Sequence, residues 1–280
     1  MELTAGGRLR RAFVQVPAQP AGLPLVVMLH GAGATAAIAE QQAGWAERAR
    51  AGGLAVALPE GTPADPASPP SFRLNPQLWN DGSGRGPVAR RQVDDVGFVI
   101  ALIDRLASEH DLDRRRVFLS GFSNGASLAF RVAAEHPDII AAIAPVAGHC
   151  WIEPPPLRRA VPLFHVAGES DPLNPPAGGT VATPWGYDEY HPPIRRSIER
   201  WSAACGCPAL ADRVDERGIH WTESDCAAEL HLALVPQLGH VWPGGPRLLP
   251  ERIVGKASQL LSATDASWDF FNRAALRLTA

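Results

Sequence analysis

Gly121-Phe122-Ser123-Asn124-Gly125 constrains this chain more than any other stretch. An apolar run at residues 116–120 precedes it and reads as a buried strand. After it, Ala126, Leu128, Ala129, Val132 and Ala133 recur at helical spacing. A G-x-S-x-G turn between a strand and a helix is a nucleophile elbow. The turn is so tight that side chains two before and two after the serine would collide with their neighbours, hence the glycines. The serine is lifted into a strained backbone position with its hydroxyl exposed. Its neighbour Asn124 opens a helix, where free N–H groups and the helix dipole favour negative charge. The alternative is a chance Gly-Ser turn, so the assignment needs an acid, a base and an oxyanion donor elsewhere.

The chain has 280 residues, 46% of them hydrophobic, which suits one α/β unit spanning residues 1–280. A net charge of -3 gives no reason to expect nucleic acid or an anionic membrane as partner. No apolar run is long enough to span a bilayer. Residues 1–7 lack an apolar signal core, which points to a cytoplasmic protein or to one whose leader has been removed. Cys205-Gly206-Cys207 is not the spacing of a zinc knuckle, and no His or Cys pair completes a metal site.

Taken in order, residues 10–16 read as an edge strand and residues 25–29 as a buried strand. The latter ends in His30-Gly31-Ala32-Gly33-Ala34, where small residues let backbone approach a ligand. A helix is expected over 36–51 with Ile38 and Trp45 inward, then a strand over 54–58. Residues 59–91 carry seven prolines, and so long an irregular stretch is more often functional than not. Residues 92–110 form a helix with a stripe of Val93, Val96, Val99, Ile100, Ile103 and Leu106. Asp94 and Asp95 sit in its first turn, where the dipole accounts for them. Strands over 139–146, 161–167, 219–222 and 230–235 and helices over 194–204 and 265–276 follow. Alternating strands and helices imply a mostly parallel sheet covered on both faces, with functional loops at the C-terminal strand ends.

A serine hydroxyl needs an adjacent base, itself oriented by an acid. Asp171 follows a strand in Gly168-Glu169-Ser170-Asp171-Pro172, and His240 follows the last strand just after Gly239. These give the order Ser123, Asp171, His240 expected of this motif. Glu169, Asp188 and Glu189 are competing acids. Of the other histidines, His110 and His136 end helices, His165 reads as a satisfied core residue, and His30 as the orderer of the loop after it. His149, His191, His220 and His231 are set aside as lacking a strand-end, Gly-preceded context. The amides of Ala32 and Asn124 are the expected oxyanion donors.

The chain resembles the polyhydroxybutyrate depolymerase-like and feruloyl esterase-like serine hydrolases of the α/β-hydrolase superfamily. The matching segments are His30-Gly31-Ala32-Gly33, Trp79-Asn80, Val93-Asp94-Asp95-Val96-Gly97-Phe98, the elbow, Gly168-Glu169-Ser170-Asp171, and Gly239-His240-Val241-Trp242-Pro243-Gly244. The resemblance implies Ser123, Asp171 and His240 as a triad in an α/β-hydrolase fold without a separate lid, acting on esters without metal or organic cofactor. It departs from the family at Pro175-Pro176-Ala177-Gly178, where a tyrosine is usual, and in lacking the signal of secreted members. Feruloyl, acetyl or short hydroxyalkanoate esters are the expected substrates. Acyl transfer, peptide cleavage and a silent binding protein are the rivals. Trp79 and Trp242 are the expected substrate-binding aromatics, with Trp185 and Tyr187 as further candidates; for Trp79, a cleft wall and a loop anchor are equal alternatives. A disulfide from Cys207 to Cys226 is expected because the helix before Cys205 and the segment before the last strand both lead toward the His240 loop; Cys205 is the other possible partner.

Overall fold

The computed structural model describes residues 1–207, 209–224, 226 and 228–277. The chain opens with β1 (Glu2–Ala5), β2 (Arg8–Gln15) and β3 (Leu25–Leu29), then α1 (Ala36–Ala43), α2 (Trp45–Arg50) and β4 (Ala55–Pro59). Two short strands in the long loop follow, β5 (Thr62–Pro63) and β6 (Gln77–Leu78), with α3 (Gly86–Arg90) and α4 (Asp95–His110) after them. The centre is β7 (Val117–Phe122), α5 (Asn124–Glu135), β8 (Ala142–Val146) and β9 (Leu163–Gly168). A hairpin of β10 (Gly179–Ala182) and β11 (Asp188–His191) precedes α6 (Arg195–Ala204). The chain closes with β12 (Ala211–Val214), β13 (His220–Ser224), β14 (Leu230–Val235), α7 (Glu251–Val254) and α8 (Ala263–Arg277).

One ten-stranded sheet runs β1-β2-β4-β3-β7-β8-β9-β14-β13-β12. Its middle, from β4 to β14, is parallel, and antiparallel pairs close each side. The middle strands are apolar on both faces because helices cover both. Alternation along β3 divides them: Leu25, Val27 and Leu29 face one layer, Val26 and Met28 the other. The first layer is built by α4, α5 and α6, with Phe98, Phe130 and Trp201 at its heart. The second is built by α1, α2 and α8, where Trp45, Phe270 and Phe271 pack together.

The structure differs from the sequence reading in several places. The segment expected as a helix over 36–51 breaks at Gly44, whose φ of 66° puts it in the left-handed region. Ile38 points away from the core and is partly exposed. The strand near residue 10 is not an edge, because β1 folds back along it in a hairpin. The helix expected from residue 92 starts at Asp95: Asp94 is its cap, accepting from the Gly97 amide at 2.8 Å. Asp95 does more than meet the helix dipole. It is buried and paired with the buried Arg10 at 2.8 Å, and its second oxygen accepts from the Asn80 amide at 2.7 Å. Arg10 also stacks over Phe98, 4.0 Å from the ring centre.

The disulfide joins Cys207, just after α6, to Cys226, between β13 and β14, as the order of elements led us to expect. Cys205 stays a free thiol near the carbonyl of Val161.

Candidate active site

The elbow forms where β7 meets α5. Ser123 has φ 53° and ψ -118°, a combination that side chains rarely adopt. Two close approaches hold it. A Cβ on Gly121 would lie 2.6 Å from the Gly125 carbonyl oxygen, and one on Gly125 would run into the carbonyls of Leu29 and His30. The Ser123 amide donates to Val146 on the adjacent strand β8 at 2.9 Å, and the Ser123 carbonyl accepts from the Ser127 amide at 3.0 Å. The strained residue is therefore clamped by the sheet on one side and by the first turn of α5 on the other.

Asp171 follows β9 and His240 follows β14, two neighbouring parallel strands, so both loops leave the same edge of the sheet. Asp171 Oδ2 lies 2.7 Å from His240 Nδ1, with both side chains nearly buried. The other oxygen of Asp171 accepts from the amides of Leu173 and Asn174 at 2.8 and 2.7 Å. An acceptor-only carboxylate at Nδ1 puts the ring proton there and leaves a lone pair on Nε2. The His240 ring packs 4.8 Å from Phe122, and the backbone around it is pinned by Gly239 N to Lys256 O at 2.8 Å. Ser123 and His240 line the same cavity. No hydrogen bond closes between the Ser123 hydroxyl and the His240 ring among the described residues, although one was expected. Unliganded sites often hold this contact long until substrate binds.

The loop after β3 is ordered by His30. Its Nε2 accepts from the Gly61 amide at 2.9 Å, so Nδ1 carries the proton and donates to the Gly31 carbonyl at 2.8 Å. Burial pushes its pKa down, which keeps the ring neutral and suits this donor–acceptor role. The amides of Ala32 and Asn124 have no acceptor among the described residues, and both residues line the cavity. The Asn124 side chain is used differently. Its Oδ1 accepts from the Trp79 amide at 2.8 Å, and its Nδ2 donates to the Trp79 carbonyl and to Asp81 at 3.2 and 2.8 Å. It copies the pairing of a strand neighbour and clips the long loop to the elbow helix.

The aromatic expectations need correcting. Trp79 is buried, 2% exposed, and outside the cavity lining, with its indole N–H donating to the His30 carbonyl at 2.8 Å; of wall and anchor, this burial fits the anchor. Trp242 is 1% exposed and donates to Thr264 at 3.1 Å, so it braces α8 and not a substrate. Tyr187 stands out in solvent on the β10–β11 turn. Of the four aromatic candidates only Trp185 lines the cavity, and its N–H donates to the Phe72 carbonyl at 2.8 Å. Phe72 comes from the long loop and Trp185 from the hairpin tip, so these two excursions meet over the cleft.

The cavity measures about 430 Å³ and is mostly apolar, with Ile38, Leu248, Leu249 and Val254 in its lining. At one end stand Arg85, His149, Trp151, Glu189 and His191. Sequence reasoning missed this group. His149 does follow a strand and a glycine, Gly148, so the reason given for setting it aside was wrong. Among the described residues no carboxylate backs its ring, however, so it lacks the partner that His240 has. Glu189, a competing acid, pairs with Arg85 at 2.7 Å. Glu169 is exposed. His165 is a core residue as expected, but no hydrogen bond of normal geometry satisfies its ring, and burial lowers its pKa to about 4.

Residues 12–175 match the family described as Esterase PHB depolymerase. That match takes in Ser123 and Asp171 and stops short of His240. NocK of Nocardia uniformis subsp. tsuyamanensis, provisionally named as an esterase, is 32% identical over 96% of this chain and 81% of its own length. Poly(3-hydroxyalkanoate) depolymerase C of Paucimonas lemoignei is 31% identical over 49% of this chain, which spans only 30% of that protein. Among solved structures, acetyl xylan esterase from Aspergillus awamori superposes with a TM-score of 0.56 at 15% identity, covering 82% of this chain and 88% of that one. Est1E from Butyrivibrio proteoclasticus, solved with ferulic acid, superposes with a TM-score of 0.55 at 13% identity over 99% of both chains. The fold they share with this chain is the α/β-hydrolase fold.

Proposed function

The chain belongs to the Esterase PHB depolymerase family of carboxylic ester hydrolases, and we propose that it cleaves esters through an acyl-enzyme formed on Ser123. The Ser123 oxygen attacks the ester carbonyl carbon while Nε2 of His240 takes the hydroxyl proton. Asp171 holds Nδ1–H and stabilises the imidazolium that results. The oxyanion sits against the amides of Ala32 and Asn124. As the tetrahedral species collapses, the bond to the alcohol oxygen breaks and His240 returns the proton to it. Water then repeats the sequence on the acyl-serine and frees the acid. The observation that carries this reading is the buried 2.7 Å Asp171–His240 contact opening onto one cavity with a serine at φ 53°.

Feruloyl, acetyl and short hydroxyalkanoate esters are the substrates proposed. The Phe72–Trp185 wall favours an acyl or alcohol group larger than acetate. The test is a panel of acetate, butyrate, hydroxybutyrate-oligomer and ferulate esters, run on the wild type and on Ser123→Ala, with a fluorophosphonate probe alongside. Turnover and labelling that disappear together in Ser123→Ala support the reading. A variant keeping more than a few per cent of the rate overturns it.

A further inference from the structure

Most buried polar side chains find partners, and those that do not call for an explanation. Three side chains that each leave a buried nitrogen unpartnered meet at one end of the cavity. His149 is 1% exposed, and neither ring nitrogen has a hydrogen bond of normal geometry. The Asn174 side chain interacts with it without closing a hydrogen bond of normal geometry, and the Asn174 amide also donates to the Ala147 carbonyl. His191 leaves its Nδ1 unpartnered, and Arg85 leaves its Nε unpartnered. All three residues line the cavity that holds Ser123. The group is rigid. Arg85 lies 3.9 Å above the Trp151 ring and donates to Glu189 at 2.7 Å, and the His149, Trp151 and His191 rings stand 5.1 to 5.5 Å apart.

Building on the esterase reading, we propose that this end of the cavity is a specificity subsite for a neutral hydroxyl carried by the substrate. The charge balance argues against an anion. Among the described lining residues Arg85 is the one permanent cation; it is already matched by Glu189, which His191 also faces at 3.4 Å, and it has Asp81 at 4.0 Å. Burial holds the His149 pKa well below its usual value, so its ring is neutral. A neutral imidazole offers one N–H and one lone pair, and Arg85 Nε offers an N–H. A hydroxyl both accepts and donates, so it complements this mixed set of donors and acceptors where a group that only accepts or only donates does not. A methyl or hydrogen in its place leaves them buried and unpaired, and sites built this way reject the deoxy analogue strongly. The ring edges of Trp151 and His191 beside the polar atoms suit a flat carrier for the hydroxyl.

The hydroxyl has two possible sources, the acyl half or the alcohol half of the ester. Methyl 3-(4-hydroxyphenyl)propionate against methyl 3-phenylpropionate tests the first; 2-(4-hydroxyphenyl)ethyl butyrate against 2-phenylethyl butyrate tests the second. A carboxyl-bearing analogue of each tests for an anion site. Binding is measured by calorimetry on Ser123→Ala protein, where no turnover interferes, and kcat/KM is measured on the wild type. The hydroxylated member of one pair is expected to bind about tenfold tighter, with the carboxylate no better than the plain ester. His149→Phe, Arg85→Met and His191→Phe, each made in the Ser123→Ala protein, are expected to bring that ratio toward one; three variants guard against a single misfolded one. Equal binding within both pairs, a preferred carboxylate, or a ratio unchanged in the folded variants overturns the subsite. Absence of turnover with hydroxyl-selective binding overturns the esterase mechanism instead and leaves the subsite standing.

Discussion

Ser123 was legible because its turn carries a sequence signature, and the reason is steric. Only glycine fits at 121 and 125 against the backbone of β3 and the start of α5. The serine itself bears the strain, and that can be measured apart from any chemistry. A non-glycine residue at φ 53° and ψ -118° stores roughly 1–3 kcal/mol. Glycine there releases it but costs about 0.5–1 kcal/mol through extra freedom of the unfolded chain. The balance favours glycine by about 1 kcal/mol. Ser123→Gly is therefore expected to melt above Ser123→Ala, which keeps the Cβ and the strain. Equal or reversed melting temperatures would show that the turn is relaxed. Asp171 and His240 were legible for a related reason: each follows a strand in a glycine-bearing loop, and parallel neighbours bring such loops to one edge. Arg85, His149 and His191 were not, because they reach the cavity from three separate segments and no local pattern records that meeting. Trp79 and Trp242 were misread for the converse reason. A tryptophan in a loop looks the same in sequence whether it faces a ligand or the core.

Between residue and fold, the long loop over 59–91 is the element whose role the structure changes most. It is not a loose border. Trp79 sits on the elbow, held through its backbone by Asn124 and through its indole by the His30 carbonyl. Trp79→Ala removes a buried indole, a change that typically costs about 3–5 kcal/mol. The expected result is a clear fall in melting temperature with the ranking of acyl groups unchanged. A changed ranking at unaltered stability would return Trp79 to the cleft wall. The β10–β11 hairpin was unreadable, since its strands have four residues each and half-exposed side chains. The disulfide was readable from element order, because α6 and the β13–β14 turn converge ahead of the His240 loop. It closes a loop of about 20 residues, for which the chain-entropy model gives roughly 3 kcal/mol. Cys226→Ala is expected to lower the urea midpoint, and reductant to lower that of the wild type to a similar point while leaving the variant unmoved. A wild type insensitive to reductant would mean that the bridge adds nothing.

At the scale of the whole molecule, the parallel centre of the sheet needs no further explanation than its two apolar faces, and those were plain in the sequence. Its outermost strand on the far side, β12, was not, because it is exposed throughout, and the strands beside it are held partly by charge. His231 on β14 stands between two carboxylates, Nδ1 2.8 Å from Glu223 and Nε2 2.9 Å from Glu229. Glu229 also meets Arg273 at 3.1 Å and Arg277 at 3.2 Å, both on α8. One carboxylate therefore ties the closing helix to the last parallel strand. The hydrogen bond from His231, then that from Arg273, hold the Glu229 pKa down to about 2, against the burial that would raise it. An unfolded glutamate titrates near about 4.3. A carboxyl group whose pKa is lower in the folded state binds protons more readily when unfolded, so its stabilising effect is present above the unfolded value and fades as pH falls toward the folded one. Glu229→Gln is accordingly expected to be less stable than the wild type at pH 7. That gap should narrow between about pH 4.5 and pH 2, as read from urea midpoints across the series. A gap that stays constant down to pH 2 would mean that Glu229 acts by shape and not by charge, and that the last helix is held by its apolar face of Phe270 and Phe271 alone.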